Sequence, residues 1–107
     1  MTHDDLLDGA QVLEVPAALR FEIHSADGEL LGIAEYQQTG TVLTITHTEV
    51  PAEHGGRGVA SRLMSGMMPL VRESGRQIVP ACPFVRSWLT KHPENRDLVA
   101  GAKVRQD

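Results

Sequence analysis

Alternation of apolar and polar residues dominates the first half of the chain. In the stretch LRFEIHS, Leu19, Phe21 and Ile23 alternate with polar or charged neighbours, which is typical of a strand with one buried face. An Asp-Gly pair, a strong hairpin signal, separates this stretch from LLGIAEYQ. A Thr-Gly-Thr turn then leads into VLTITHTEV, which is rich in β-branched residues. The pattern predicts an antiparallel meander of three strands, the third over residues 42–50.

From Gly58 onwards the apolar spacing changes from two residues to three or four, which predicts a helix. Its predicted buried face consists of Val59, Leu63, Met67, Leu70 and Val71. Gly75 fits the end of this helix. Gly66 and Pro69 lie inside it, so we expect a kink near residues 65–69, with the methionines of this region packed around it.

A fourth strand and a second helix are predicted to follow. The stretch RQIVPA fits the strand, and Pro83 is suited to the first position of the helix. The predicted buried face of that helix consists of Phe84, Val85, Trp88 and Leu89. The expected fold class is mixed α/β (α+β): an antiparallel meander, then a right-handed β-α-β unit with parallel strands, then a short helix. We expect residues 1–15 to be a flexible N-terminal tail, residues 16–100 to be the domain and residues 101–107 to be a frayed C-terminus.

Composition narrows the possible functions. A chain of 107 residues is expected to form one domain. A net charge of −4 and few aromatic residues argue against a general nucleic-acid binder. Neither a membrane-spanning apolar run nor a signal peptide is present in the sequence. The single cysteine fits a reducing compartment, so we expect a cytoplasmic protein, and a monomer.

Charge is distributed unevenly along the chain. Residues 1–54 carry ten acidic side chains and one basic side chain, whereas residues 55–91 carry six basic and one acidic. The basic section opens with the glycine-rich stretch HGGRG, between the third strand and the first helix. Small residues at a helix N-terminus expose backbone N–H groups beside the positive end of the helix dipole, which favours an anion such as a pyrophosphate. A purely structural turn is the alternative, and neither a P-loop nor a Rossmann fingerprint fits.

The stretch GGRGVA, at residues 55–60, resembles the Q/R-x-x-G-x-G/A acetyl-CoA loop of GNAT-type N-acetyltransferases. Together with THTEVP, GRGVASRL, IVPACPF and KHPENRDLV, this stretch resembles the small, single-domain YjdJ-like branch of that family. The resemblance covers about residues 19–99. It implies a transferase that moves an acetyl group from acetyl-CoA, its co-substrate, to an amine of a small molecule or a protein. One departure is Gly55, where the family usually has Gln or Arg, so more of the binding falls to backbone N–H groups and Arg57.

The resemblance also implies roles for individual residues. Glu49 and Val50 match positions whose backbone pairs with the pantetheine arm. The residues that match the pyrophosphate turn are Gly55, Gly56, Arg57, Gly58, Val59, Ala60 and Ser61. Pro83 and Phe84, with Cys82, match the segment across the cleft that holds the thioester. Lys91 and His92 match a basic stretch suited to the 3′-phosphate or the adenine.

Two side chains are candidates for the chemistry. His47 is expected on the same strand face as Leu43 and Ile45, where an imidazole suits the deprotonation of an amine. Cys82 is expected at the N-cap of the second helix, which favours a reactive thiol. Each has a structural alternative, a hydrogen-bonded histidine and an inert buried cysteine. A CoA-binding module without catalysis, or a scaffold, also remains open. His3, His24 and His54 lack metal-ligand spacing, so no metal is expected.

Overall fold

The computed structural model describes residues 6–101. The strands are β1 (Gln11–Val15), β2 (Arg20–His24), β3 (Leu30–Thr39), β4 (Val42–Glu49) and β5 (Gln77–Pro80). The helices are α1 (Val59–Glu73) and α2 (Pro83–Lys91), and short 3₁₀ helices span Pro16–Ala18, Ala52–His54 and Pro93–Leu98. The strands form one sheet in the order β1-β2-β3-β4-β5, in which β5 is parallel to β4 and the other neighbours are antiparallel. The predicted meander, β-α-β unit and second helix are therefore confirmed.

The predicted N-terminal tail is wrong for its last five residues. Gln11–Val15 form β1, which pairs along its whole length with β2. The turn between them puts Leu19 in the left-handed region (φ 55°) and leaves it exposed, so Leu19 does not extend the buried face of β2. The remaining predictions for the termini, at residues 1–5 and 102–107, lie outside the described residues.

One face of the sheet packs against α1. Phe21, Ile23, Leu43 and Ile45 are buried there, as the alternation predicted, and Tyr36 of β3 is buried with them. They meet the apolar face of α1, whose buried residues are Val59, Leu63, Met64, Met67, Met68 and Val71. The opposite side of the sheet, here called the far face, carries mainly polar side chains.

The α1 helix runs unbroken through Pro69. Gly66 has a packing role instead: a Cβ at this position would lie 2.4 Å from Val12 Cγ2 and 2.6 Å from Val12 Cβ. Because β1 crosses the helix so closely, only glycine fits there without displacement of the strand. The glycine that suggested a kink is therefore explained by the strand that the sequence analysis missed.

A β-bulge changes the direction of side chains in β4. Ile45 lies opposite Tyr36, whereas His47 lies opposite Glu35, so Thr46 is an extra residue in β4. Residues directly opposite each other in an antiparallel pair share a face. After the bulge, His47 therefore lies on the far face with Glu35 rather than on the buried face.

The α2 helix begins at Pro83, as predicted, and packs beside α1 and the ends of β4 and β5. Val85 and Trp88 are buried and Leu89 is half-buried, in agreement with the predicted apolar face. Phe84 is an exception, because 39% of it is exposed. Across residues 6–101, the helices are all too short or too polar to cross a membrane.

Candidate functional site

Strands β4 and β5 diverge at the centre of the predicted site. Their parallel pairing ends at Ile45 and Pro80, whereas β4 remains paired with β3 as far as Glu49. The carbonyl oxygen of Ile45 accepts hydrogen bonds from the backbone N–H groups of both Ala81 and Cys82, and the chain then leaves the sheet. In the described part of the chain, the second half of β4 thus continues without β5 beside it. The gap that this opens between β4 and the start of α2 is here called the cleft.

The glycine-rich turn lies at the start of α1, immediately after this cleft. Gly56 (φ 75°) and Gly58 (φ 80°) are both left-handed, a conformation that glycine adopts without strain. Gly58 is the N-cap, its carbonyl accepts the first helical bond from Arg62, and the first turn carries no acidic side chain and no side-chain cap. The N–H groups of Gly58 and of the first helical residues therefore have no acceptor inside the helix. Together with the helix dipole, they are suited to hold an anion.

The other predicted turn residues differ in what they offer a ligand. Gly55 is extended rather than left-handed, and a Cβ there would lie 3.2 Å from Ala52 O. Val59 is buried and anchors the helix, Ala60 is half-buried, and Arg57 is exposed. Ser61 Oγ accepts a 2.9 Å hydrogen bond from Trp88 Nε1, so its side chain is directed toward α2.

Trp88 connects the start of α1 to the predicted adenine end of the site. The His92 ring stacks on the Trp88 ring with a centroid separation of 3.8 Å, and His92 Nδ1 donates to Trp88 O at 2.8 Å. Lys91 is exposed beside it. A cavity of about 280 Å³ lies between α1, α2 and the Pro93–Leu98 helix, and Trp88 and His92 line it together with Arg72.

Cys82 lies on the α1 side of the cleft. It is the N-cap of α2, it is buried, and its Sγ lies 3.3 Å from Thr48 Oγ1 on β4. Burial alone would raise the pKa of the thiol, but the hydrogen bond with the Thr48 hydroxyl and the N–H groups of Val85, Phe84 and Thr48 lower it below its usual range.

His47 lies on the far face of the sheet, one residue before Thr48 on β4. Its side chain is 53% exposed, and its Nε2 lies 3.3 Å from Glu49 Oε1. The predicted position beside Leu43 and Ile45 is wrong, because the bulge at Thr46 reverses the alternation. Glu49 is exposed, and Val50 is half-buried against Gly32.

The structure joins some of the predicted residues through contacts, Ser61 with Trp88 and Trp88 with His92, and it adds three candidates that the sequence pattern does not mark. Thr48 takes the inward position beside the cleft, Thr46 provides the bulge, and Trp88 joins the two helices. Trp88 had been assigned only to the core. A lone tryptophan four residues before a histidine on a short helix was the available signal for stacking, whereas nothing in VLTITHTEV marks the bulge.

Comparison with known families gives one match that covers most of the domain. A family model described as GCN5-related N-acetyl-transferase matches residues 20–98. Curated proteins gave no match.

Comparison with solved structures confirms the fold class. The NMR structure of a GCN5-like candidate N-acetyltransferase from Staphylococcus aureus superposes with a TM-score of 0.63 at 23% identity, over 91% of this chain and 90% of that chain. The crystal structure of a nourseothricin acetyltransferase matches at 32% identity and a TM-score of 0.40, over 55% of this chain and 36% of its own.

Proposed function

Because this chain belongs to the GCN5-related N-acetyl-transferase family, we propose that it transfers an acetyl group from acetyl-CoA to an amine, with the thioester held in the cleft between β4 and α2. The observation that carries the proposal is the divergence of β4 and β5 after Ile45, directly beside the glycine turn. Within residues 6–101, the strand edge that β5 has left suits the pantetheine arm of CoA, and the helix N-terminus suits its pyrophosphate. The YjdJ-like branch, cytoplasmic location and monomeric state remain predictions from the sequence.

Donor binding follows from the arrangement of the cleft. The pyrophosphate oxygens accept hydrogen bonds from backbone N–H groups of the turn at residues 56–61. The exposed side chain of Arg57 provides a charged contact to the same group. The pantetheine arm pairs with the backbone of Glu49 and Val50 along the part of β4 that β5 has left. Pro83 and Phe84 border the thioester from α2, and Lys91 and His92 lie on the side of the 3′-phosphate and adenine.

Transfer proceeds by direct attack of the amine on the thioester carbonyl. His47 takes the proton of the acceptor ammonium, and the freed nitrogen lone pair forms the C–N bond. The C–S bond breaks, CoA leaves as a thiolate, and the second amine proton neutralises it. Because the bulge places His47 on the far face, the acceptor approaches from that face, while Thr48 and Cys82 border the cleft from the α1 side.

Cys82 offers a competing route. Its lowered pKa favours the thiolate, which can attack the thioester carbon, release CoA thiolate and leave an acetyl group on Sγ. An amine would then attack this second thioester. We assign Cys82 to the wall of the cleft, and mass spectrometry of protein incubated with acetyl-CoA without an acceptor tests the choice. A Cys82 adduct that added amine removes as fast as turnover would overturn direct transfer.

The function is tested by following CoA release with a panel of amines that includes polyamines, lysine peptides and peptides with free N-termini. His47→Gln should lower the turnover number by about 100-fold or more, the usual contribution of a general base. His24→Gln, another far-face histidine, is the matched control and should leave turnover unchanged. Binding of acetyl-CoA without transfer to any amine would favour the non-catalytic CoA-binding module.

A further inference from the structure

A histidine and two carboxylates from two separate segments lie close together just before the glycine turn in the chain. Glu29 lies in the turn between β2 and β3, and Glu53 and His54 lie in the Ala52–His54 helix. The Nε2 atom of His54 lies 3.2 Å from Glu29 Oε2 and 3.6 Å from Glu53 Oε2. One ligand atom from each of the three side chains lies within 4.8 Å of the other two.

The burial of these groups is unequal. The His54 side chain is only 10% exposed, and its Nε2 is directed at both carboxylates, which are 55% and 72% exposed. The Nε2–H group of His54 can donate one good hydrogen bond. With two carboxylates at this nitrogen, the negative charge of one carboxylate is therefore not balanced by the imidazole. A buried imidazole at the base and exposed carboxylates above it make a site that opens to solvent.

A second histidine in the same chain shows a different arrangement. His24 Nε2 lies 2.7 Å from one carboxylate oxygen of Glu22, and Arg20 holds the other oxygen at 2.7 Å. That carboxylate is thus shared with a guanidinium cation. At His54, by contrast, two carboxylates face the same ring nitrogen, which favours a cation between the groups.

The spacing fits a small transition-metal ion. Bonds of 2.0–2.2 Å to nitrogen and oxygen in a tetrahedral site place two ligand atoms about 3.3 Å apart. The two separations from His54 Nε2, 3.2 and 3.6 Å, bracket this value, and the two carboxylate oxygens lie within 4.8 Å of each other. We propose that Glu29, Glu53 and His54 bind one divalent transition-metal ion, of which Zn²⁺ is the most suitable, with water in the fourth position.

Such an ion has a structural consequence for the neighbouring loop. It would join the β2–β3 turn to the Ala52–His54 helix, and Gly55 follows that helix directly. The glycine turn would then be fixed at its N-terminal side by the metal and at its C-terminal side by α1. This proposal departs from the expectation from sequence spacing that no metal binds.

The first test is a calorimetric titration in which Zn²⁺ is added to the full chain after a chelator has removed bound metal. The second is the visible absorption spectrum of the Co²⁺-loaded chain, which reports tetrahedral geometry. We expect one Zn²⁺ per chain and a tetrahedral Co²⁺ spectrum. Loss of the histidine ligand in His54→Gln should weaken Zn²⁺ binding by about 100-fold. His24→Gln is the matched control and should bind like the unmodified chain.

If His54→Gln does not fold, Glu29→Gln replaces it, because that carboxylate is largely exposed and its loss spares the core. Equal Zn²⁺ affinity in the unmodified chain and in these variants would overturn the proposal. The same conclusion would follow from no Zn²⁺ binding, or from equal loss in His24→Gln. Acetyl-CoA binding in the metal-free protein is a separate measurement, so failure of the metal site leaves the proposed transferase function intact.

Discussion

At the scale of single residues, the contact between Thr48 and Cys82 defines the inner side of the cleft. The two side chains come from β4 and from the start of α2, and they meet at 3.3 Å on the α1 side of the sheet. Burial disfavours the thiolate of Cys82, but the Thr48 hydroxyl and three backbone N–H groups stabilise it more strongly. The pKa of the thiol therefore depends in part on a residue 34 positions away in the chain.

Thr48→Val should raise the pKa of Cys82, because valine keeps the shape of the side chain but removes the hydroxyl donor. The pH dependence of iodoacetamide alkylation measures this directly, since Cys82 is the one cysteine of the chain. We expect the midpoint to move to higher pH. Thr44→Val, on the same strand but opposite Gln37 on the far face, is the control, and an equal shift in both variants would contradict the assignment.

The residue that sequence reasoning misplaced is His47. Strict alternation from Leu43 and Ile45 predicts an inward histidine, but the extra residue at Thr46 reverses the faces of all that follow. A β-bulge depends on how two strands pair, and a run of β-branched residues has no local signal for it. Cys82, in contrast, was placed correctly because proline at the first helical position fixes the N-cap.

At the scale of elements, β1 is held to the rest of the fold by a polar cluster. Arg76, just before β5, donates to both carboxylate oxygens of Glu14 at 2.9 and 2.7 Å, and the Tyr36 hydroxyl donates to the same carboxylate. The Arg76 guanidinium is the main reason that the pKa of Glu14 is lowered. Burial, and then the bond to Glu14, raise the pKa of Tyr36 to about 12.

Glu14→Gln should lower the free energy of unfolding at neutral pH by about 2 kcal/mol, since it leaves a mostly buried guanidinium without its charge partner. The Glu14 pKa is lower in the folded state, so its contribution is complete above the unfolded value and is lost as the pH falls through the folded value. Urea unfolding at several pH values should therefore show a difference that shrinks in acid. Glu73→Gln, on an exposed position of α1, is the control; a difference that stays constant with pH would contradict this role.

The crossing of α1 over β1 gives a second prediction for these elements. Gly66→Ala should destabilise the protein by about 1–3 kcal/mol, as overpacking does, although alanine favours a helix. In a Val12→Gly background, the atoms that the new Cβ would meet are removed, so the same substitution should be neutral or stabilising. A double-mutant cycle of urea unfolding measures this coupling, and additive effects would argue against the close approach.

At the scale of the whole molecule, the order of elements was predictable because each has a local signal. The Asp-Gly hairpin, the change of apolar spacing at Val59 and Pro83 all mark boundaries that the structure confirms. The short strand β1 was missed because its five residues have no strong alternation, and its stability comes from Arg76 and Tyr36 far along the chain. The cluster of Glu29, Glu53 and His54 likewise depends on tertiary contact between separate loops.

The proposed function depends above all on binding of the pyrophosphate of acetyl-CoA at the turn that begins α1. Isothermal titration with acetyl-CoA should show one site per chain, and Gly58→Ala should weaken it about tenfold, because a side chain strains the left-handed N-cap and shifts the N–H groups. Gly75→Ala is the matched control, because Gly75 is also left-handed (φ 73°) and lies at the other end of α1. A Cβ added at Gly75 would meet open space. We expect unchanged affinity in Gly75→Ala. No binding by the unmodified chain, or equal affinity in all three proteins, would contradict pyrophosphate binding at this turn.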